Sequence, residues 1–526
     1  MREKFYNISY IFLLVYLITG IYLSLNVGIS HDEFHEQLNW EINYKSIKDF
    51  IKTGAYIDLL NYKDRYHGIG FNFLSQPVQF LIKDLVLQYQ NINEYGSILI
   101  SKHLVIFVLF FLSGLFFFKI CIFFSNNKKF ALISLFLFYS YPYFFGHALM
   151  NSKDIPFLSF WIVCSYLACK ITKNLFENKK LPFRYIFYLS LSTSFLISIR
   201  VVGFLILLQY LIFFIVCIEH TNKNIINSVK ENVKKIMFFI FLLIFFTYLL
   251  NPIFWHHPSE LINSLKWMSK YQQDVSTLTL GTYMKSLSLP SSYYFIWLFF
   301  KLPILIISGF FLFPLVEKKL LKNIFNKILV YSFIITLFAI LILFIIFDVA
   351  IYNEIRHIMF LVPIIFLISL NNLYLISKNF FYYSGTLVII FFVIENITIN
   401  PYQYTWMNSF SKFYEINKNF EVDYWGISNK NLYNSIYKHS LKSNDNKNNC
   451  IYGDLYSSVF LENRGFKCFR KYSELDAAKI RPFYVMKNHR NLKRSDPKDC
   501  KLINKENYSY SFNNQIINVG SAWYCN

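Results

Sequence analysis

The 526-residue sequence is short of acid: 31 Asp and Glu stand against 52 Lys and Arg, a formal net charge of +21. It carries no internal repeat, which sets aside a repeat array, and no zinc-knuckle spacing. No small-residue cleavage site follows the first apolar run, so that run reads as an uncleaved anchor rather than a removed signal peptide. A large positive charge suits nucleic acid at first sight. Here, however, the Lys and Arg cluster in short loops between apolar runs, which fits membrane orientation and anionic headgroups and argues against a nucleic-acid partner.

What the chain has in excess is apolar bulk: 55% hydrophobic, 21% aromatic, 60 Phe. That excludes an ordinary soluble globule and implies a polytopic α-helical membrane protein. Eleven spans are expected, at 8–27, 104–124, 130–145, 155–171, 185–199, 201–218, 236–250, 293–315, 328–347, 358–370 and 382–397. With the N-terminus inside, the loops at 126–129, 172–184, 219–235, 317–327 and 371–380 hold fifteen Lys and Arg. The short loops opposite carry single ones, Lys153, Arg200 and Arg356. The stretch 28–100, the loop 251–292 and everything after 400 therefore share the external, periplasmic face of a cell inner membrane. Within loop 28–100, residues 34–51 and 71–87 have helical apolar spacing and read as amphipathic helices on the membrane surface, joined by a turn at 66–70.

The division expected is a transmembrane catalytic domain at 1–399 and a small α/β domain at 400–526. The latter is polar, with 19 Lys and Arg against 11 Asp and Glu. Strands are expected at 450–452, 482–486, 508–512 and 516–524, and a helix at 455–463. Cys121, Cys164, Cys169 and Cys217 lie in apolar spans, whereas Cys450, Cys468, Cys500 and Cys525 all lie in the tail and imply an oxidising compartment. Of three pairings, Cys450–Cys468 and Cys500–Cys525 are favoured because each brackets one compact segment.

The chemistry concentrates where the first span ends, at His31-Asp32-Glu33-Phe34-His35-Glu36. Adjacent carboxylates beside a bilayer are costly to leave unpaired. The bland reading is helix N-capping; the functional one is a base at the water boundary. Polar groups recur at the other external span ends: Lys153 and Asp154, Arg200, His256 and His257, Arg356 and His357. A lone Arg there usually snorkels, so the conjunction carries the weight. Together they suit transfer of a sugar from a polyprenyl-phosphate donor: Lys153, Arg200, Arg356 and His357 for the phosphate, a carboxylate for the acceptor hydroxyl, with inversion at the anomeric carbon. These residues name no particular cofactor. A divalent metal on His31 and His35 with Asp32, Glu33 and Glu36 is an open alternative, though the pattern is not the His-Glu-x-x-His of metalloproteases. His256 and His257 read as loop contacts or interface residues.

Several segments are familiar in this order. Asn151-Ser152-Lys153-Asp154-Ile155-Pro156-Phe157 after Gly146-His147 resembles a loop of bacterial GT-C glycosyltransferases, relatives of the dolichyl-phosphate-mannose–protein mannosyltransferases and the lipid A aminoarabinose transferases. Ser198-Ile199-Arg200, Asn251-Pro252, Tyr352-Asn353-Glu354-Ile355-Arg356-His357 and Asp423-Tyr424-Trp425-Gly426 resemble the same group, to about residue 430. The resemblance implies a GT-C fold, a lipid-linked sugar donor, Asp32 with Glu33 beside it as the base, and Asp154 as the acid of the second external loop. The tail matches no acceptor motif, leaving lipid, glycan or protein open. The rivals are a flippase for lipid-linked glycans, an O-antigen polymerase or ligase type of envelope enzyme, and a non-catalytic envelope scaffold.

Overall fold

In lipid an apolar run satisfies its own backbone best as an α-helix. The computed structural model describes residues 2–55, 57–269, 274–320, 323–443, 449–477, 481–488 and 495–526. Among these, eight helices are long and apolar enough to cross a bilayer: Ser9–Asn26, Glu94–Ser125, Asp154–Phe176, Val201–His220, Ile225–Leu249, Ile324–Ile346, Arg356–Ile376 and Lys378–Thr398. The chain is a multi-pass membrane protein. Ser9–Asn26 and Ile225–Leu249 expose apolar side chains along most of their length, whereas Arg356–Ile376 is buried almost throughout and forms the centre of the bundle.

Three of the eleven spans of the sequence reading, 130–145, 185–199 and 293–315, are shorter or broken. Proline accounts for two of the differences. The 293–315 run is two helices, Ser292–Lys301 and Ile304–Phe311, bent by 120° about the break before Pro303. The 130–145 run stops at Ser140, ahead of Pro142, so Lys128–Ser140 has 13 residues and a length of about 20 Å, short of the hydrocarbon core. Phe183–Ile199 is also short, at 17 residues.

Both expected surface helices form, as His31–Thr53 and Gly70–Gln90, and both are inside out. The first buries Glu33, Glu36, Gln37, Asn39, Asn43 and Ser46 while Leu38, Tyr44, Phe50 and Ile51 face outward. The second buries Asn72, Ser75 and Gln79 and exposes Phe80, Leu81 and Leu85. Outward apolar faces of this kind suit lipid against them, so these helices fit a membrane boundary beside this end of the bundle.

Beyond 399 the chain does not leave the bundle at once. Tyr402, Tyr404, Trp406, Phe420, Tyr424, Trp425 and Ile427 share one hydrophobic core with the membrane helices. The helix Asn429–Lys442 then covers a five-stranded sheet of order β4-β3-β5-β7-β6, comprising β3 (Ile451–Gly453), β4 (Phe469–Lys471), β5 (Phe483–Asn488), β6 (Cys500–Tyr508) and β7 (Ile517–Cys525). β3 runs parallel to β4 and β5; β7 is antiparallel to β5 and β6. A hairpin of β1 (Ser276–Thr279) and β2 (Thr282–Lys285) lies in the second long external loop. The favoured disulfides, Cys450–Cys468 and Cys500–Cys525, are both present. The strand expected at 508–512 is displaced: β6 ends at Tyr508, because the Tyr508 and Tyr510 hydroxyls turn inward onto Thr405. The helix expected at 455–463 is two single 3₁₀ turns, Tyr456–Phe460 and Glu462–Arg464.

Candidate active site

The helix ends that carry Asp32, Lys153, Arg200 and Arg356 meet around one cavity of about 1580 Å³. Its polar wall includes Asp32, Glu36, Lys153, Arg200, Arg356 and His357; its apolar wall includes Phe204, Leu205, Leu343, Phe344 and Phe347, at the ends of membrane helices. Asn417, Lys418, Glu421 and Lys505 close it from the tail, and Leu265, Met268 and Tyr283 from the second external loop.

Asp32 sits in the first turn of His31–Thr53, whose start is fixed by a capping box: Ser30 N donates to Glu33 Oε1 at 2.7 Å, and Glu33 N to Ser30. That box answers where the second carboxylate goes. Glu33 turns into the protein, 1% exposed, with its other oxygen 2.6 Å from Nε2 of fully buried His103. Asp32 turns into the cavity, its side chain 46% exposed. Its Oδ2 accepts from Arg356 Nη1 at 2.5 Å and from Trp425 Nε1 at 3.2 Å. Burial pushes the Asp32 carboxyl up, but the Arg356 guanidinium and the indole N–H outweigh it and hold the group below the usual carboxylate range.

Trp425 reaches Asp32 because the tail is tied down behind it. Asp423 accepts from Ile427 N at 2.8 Å, from Ser428 N at 3.1 Å and from the Tyr404 hydroxyl. Trp425 O accepts from His31 N at 3.3 Å. Gly426 holds φ +71°, and a Cβ there would meet the His31 ring at 3.0 Å, so the contact needs glycine. The Arg356 guanidinium lies 4.9 Å from the Tyr352 ring and 5.5 Å from that of Trp425.

The Asn151–Asp154 segment organises the other cations. Asn151 Oδ1 accepts from the backbone N–H of Lys153 and Asp154, and its Nδ2 donates to Asp154 Oδ2 at 2.9 Å. Asp154 is 3% exposed and not part of the cavity wall; it pairs closely with Arg200 and lies 3.7 Å from Arg356. It therefore orients two arginines from behind. Lys153 Nζ donates to Glu36 Oε2 and to Gly68 O, both at 2.9 Å. The turn carrying Gly68 packs so tightly on the Ser198–Arg200 junction that a Cβ at Gly68 would fall 2.1 Å from Ser198 O. Burial pushes Glu36 up, yet Lys153 and His67 leave it below its usual range; burial, then Lys153, pushes His67 down to about 3.

Other sequence candidates are placed elsewhere. His357 lines the cavity, with Nδ1 accepting from Tyr352 N at 3.4 Å. His256 and His257 do not line it; His257 contacts Ser259 at 2.6 Å. The metal set drawn from 31–36 does not gather on one point, because its members are held by separate partners. His31 pairs with Asp454 at 2.5 Å, Asp32 with Arg356, Glu33 with His103 and Glu36 with Lys153. Groups the sequence reading did not single out are His67, Asp454, His103 and the buried Lys301–Glu354 pair. The one available signal was periodicity: four residues apart, Asp32 and Glu36 share the cavity face.

Fold and site together define a multi-pass membrane protein whose helix ends and tail enclose one cavity with a cationic and an apolar wall. No protein-family model matches the chain, and no curated protein matches its sequence. Among solved structures it is similar to ArnT from Cupriavidus metallidurans bound to undecaprenyl phosphate, with 10% identity, a TM-score of 0.47, and 100% of this chain and 98% of that one covered.

Proposed function

We propose that the chain is an inner-membrane GT-C glycosyltransferase that moves a sugar from a polyprenyl-phosphate donor to an acceptor hydroxyl of a lipid, glycan or protein at the periplasmic face. The observation that carries this reading is the double character of the cavity. It combines Lys153, Arg200 and Arg356 with an apolar lining from membrane helices, the demand a lipid phosphate makes, and its volume exceeds the roughly 300–1000 Å³ of ordinary small-molecule pockets. The sidedness rests on two independent features: the cationic loops lie at the opposite ends of the spans, and the disulfide-bearing tail closes the cavity. A transporter reading is weaker because the charges sit at span ends rather than at mid-span.

The three cations are already matched by Asp32, Asp154 and Glu36. A donor phosphate must therefore draw a cation away from a carboxylate. Taken from Asp32 by the phosphate, Arg356 leaves that carboxylate more basic just when the acceptor arrives. The acceptor oxygen then attacks the anomeric carbon, its proton passes to Asp32, and the bond from the anomeric carbon to the phosphate oxygen breaks. The departing phosphate keeps the electron pair against Arg200, Arg356 and Lys153. One displacement inverts the centre. On this reading 1–399 is the catalytic domain and 400–526 a periplasmic α/β domain that also lends Trp425 to the site.

The test is release of labelled sugar from a panel of undecaprenyl-phosphate sugars by purified protein in lipid, with donor binding recorded alongside. Asp32→Asn is expected to lower turnover by about 10²–10⁴-fold, as loss of a general base does, with donor binding retained. Full activity in Asp32→Asn would remove Asp32 as the base; no binding of any such donor would favour a scaffold.

A further inference from the structure

A second cluster stands on the cavity wall, apart from the Asp32–Arg356 pair. His35 projects from the first external helix, one position before Glu36, and both His35 and His67 line the cavity. Asp64 and His67 come from a tight turn closed by His67 N donating to Asp64 O at 2.9 Å. One ligand atom of each of the three lies within 4.8 Å of the others. Asp64 Oδ2 is 3.7 Å from His35 Nε2, and Asp64 Oδ1 is 3.8 Å from His67 Nε2. These separations are too long for hydrogen bonds. Each, from a different carboxylate oxygen, is near the roughly 3.4 Å edge of a tetrahedron whose ligands stand about 2.1 Å from a central ion. The two rings are 5.3 Å apart at 87°, each approaching the carboxylate from its own side. The Lys153 ammonium, which also lines the cavity, is matched by Glu36 at 2.9 Å.

We infer that His35, Asp64 and His67 bind one borderline divalent cation of the Zn²⁺ type at the cavity wall. Two imidazoles and one carboxylate are the donors that suit such an ion and do not suit Mg²⁺ or Ca²⁺, which take oxygen ligands. Three protein ligands leave a fourth position, and the two histidines direct it into the cavity. There an oxygen of water, or of a hydroxyl or phosphate bound in the cavity, completes the shell. The ion also ties the first external helix to the 64–67 turn, which packs on the Arg200 junction. The site stands on its own geometry and does not require the glycosyltransferase reading.

Full-length protein in lipid nanodiscs, freed of any affinity tag and stripped with chelator, is titrated with Co²⁺ and then Zn²⁺. Expected are one metal per chain after gel filtration, tetrahedral Co²⁺ bands in the visible spectrum, and their displacement by Zn²⁺. His35→Gln, at a half-exposed position the fold tolerates, and Asp64→Asn are expected to weaken binding by more than the roughly 10–100-fold that follows loss of a mere supporting group. Their thermal unfolding without metal should match that of the wild type. Wild-type protein that takes up neither ion, or variants that bind as the wild type does, would overturn the assignment.

Discussion

Removing one half of the buried Lys301–Glu354 pair is expected to loosen the site without touching it. Lys301 Nζ lies 2.7 Å from Glu354 Oε1, and both side chains are 0% exposed. The ammonium also donates to Thr405 O at 3.1 Å and lies 4.9 Å from the Tyr143 ring. The pair thus joins a bent membrane helix, the loop before Arg356 and the start of the tail. Asn353 and Glu354 both hold positive φ, 53° and 69°, a conformation non-glycine residues adopt only when held there. Their backbone N–H groups donate to Thr277 and Tyr293. Lys301→Met leaves a carboxylate with no cation in an apolar surround, a change that costs about 3–5 kcal/mol. Burial pushes the Glu354 carboxyl up to about 7 from an ordinary 4.5, with Lys301 pulling the other way. A carboxyl raised in the fold binds more protons folded than unfolded, so its contribution to stability falls as pH rises from about 4.5 to about 7. Without Lys301 the folded value climbs further and the falling window extends upward. The deficit of Lys301→Met should therefore grow with pH, by up to about 1.4 kcal/mol per unit. Equilibrium unfolding by SDS titration at about pH 5 and about pH 8 tests this, with Glu354→Gln and the double variant completing a cycle. Lys301→Met and Glu354→Gln together should recover most of the loss, because a neutral pair has no charge to strand. A Lys301→Met deficit that is small, or equal at both pH values, would refute the reasoning.

Two further substitutions separate the site from its frame. In Arg356→Gln the force that lowers the Asp32 carboxyl is removed while its burial stays, so the acid limb of the pH–rate profile should move to higher pH; an unmoved limb argues that Asp32 does not titrate in that limb. An infrared difference titration against Arg356→Gln/Asp32→Asn reads the same carboxyl independently of turnover. Glu33→Ala should cost about 1–3 kcal/mol by stripping the capping box and the partner of His103, yet leave turnover of the folded protein within about twofold. A stable Glu33→Ala protein without activity would return Glu33 to the chemistry.

Much of the site is legible in sequence because charge beside lipid is costly, so each external ionisable group announces itself against an apolar background. Asp32, Lys153, Asp154, Arg200 and Arg356 stand out for that reason, and the structure brings them together. Which of two adjacent acids faces the cavity is settled by partners: Glu33, about 100° from Asp32 on the helix, is taken by the capping box and by His103. Trp425 was not readable as the partner of Asp32. The contact depends on how the tail re-enters the bundle, and on Gly426 lying against His31, nearly four hundred residues away in the chain. Two expected spans are broken for a local reason, since hydropathy integrates across Pro142 and Pro303 whereas a helix does not.

The two surface helices carry a different lesson. Period 3.6 identifies His31–Thr53 and Gly70–Gln90 as amphipathic, but periodicity is silent on which face the protein keeps. In a water-soluble domain Phe80, Leu81 and Leu85 would turn inward. Here Asn72, Ser75 and Gln79 do so, because lipid takes the apolar face and the protein interior at that level is itself polar. On the first helix that interior includes the charged cavity, which Glu36 lines. Glu36 on the first helix and the Gly68 turn between the two helices meet at Lys153, so the polar faces supply a wall that apolar faces could not. The inverted helices and the cationic cavity are thus consequences of one arrangement: polar groups gathered at the membrane boundary, with the lipid itself standing in for the missing outer layer of protein.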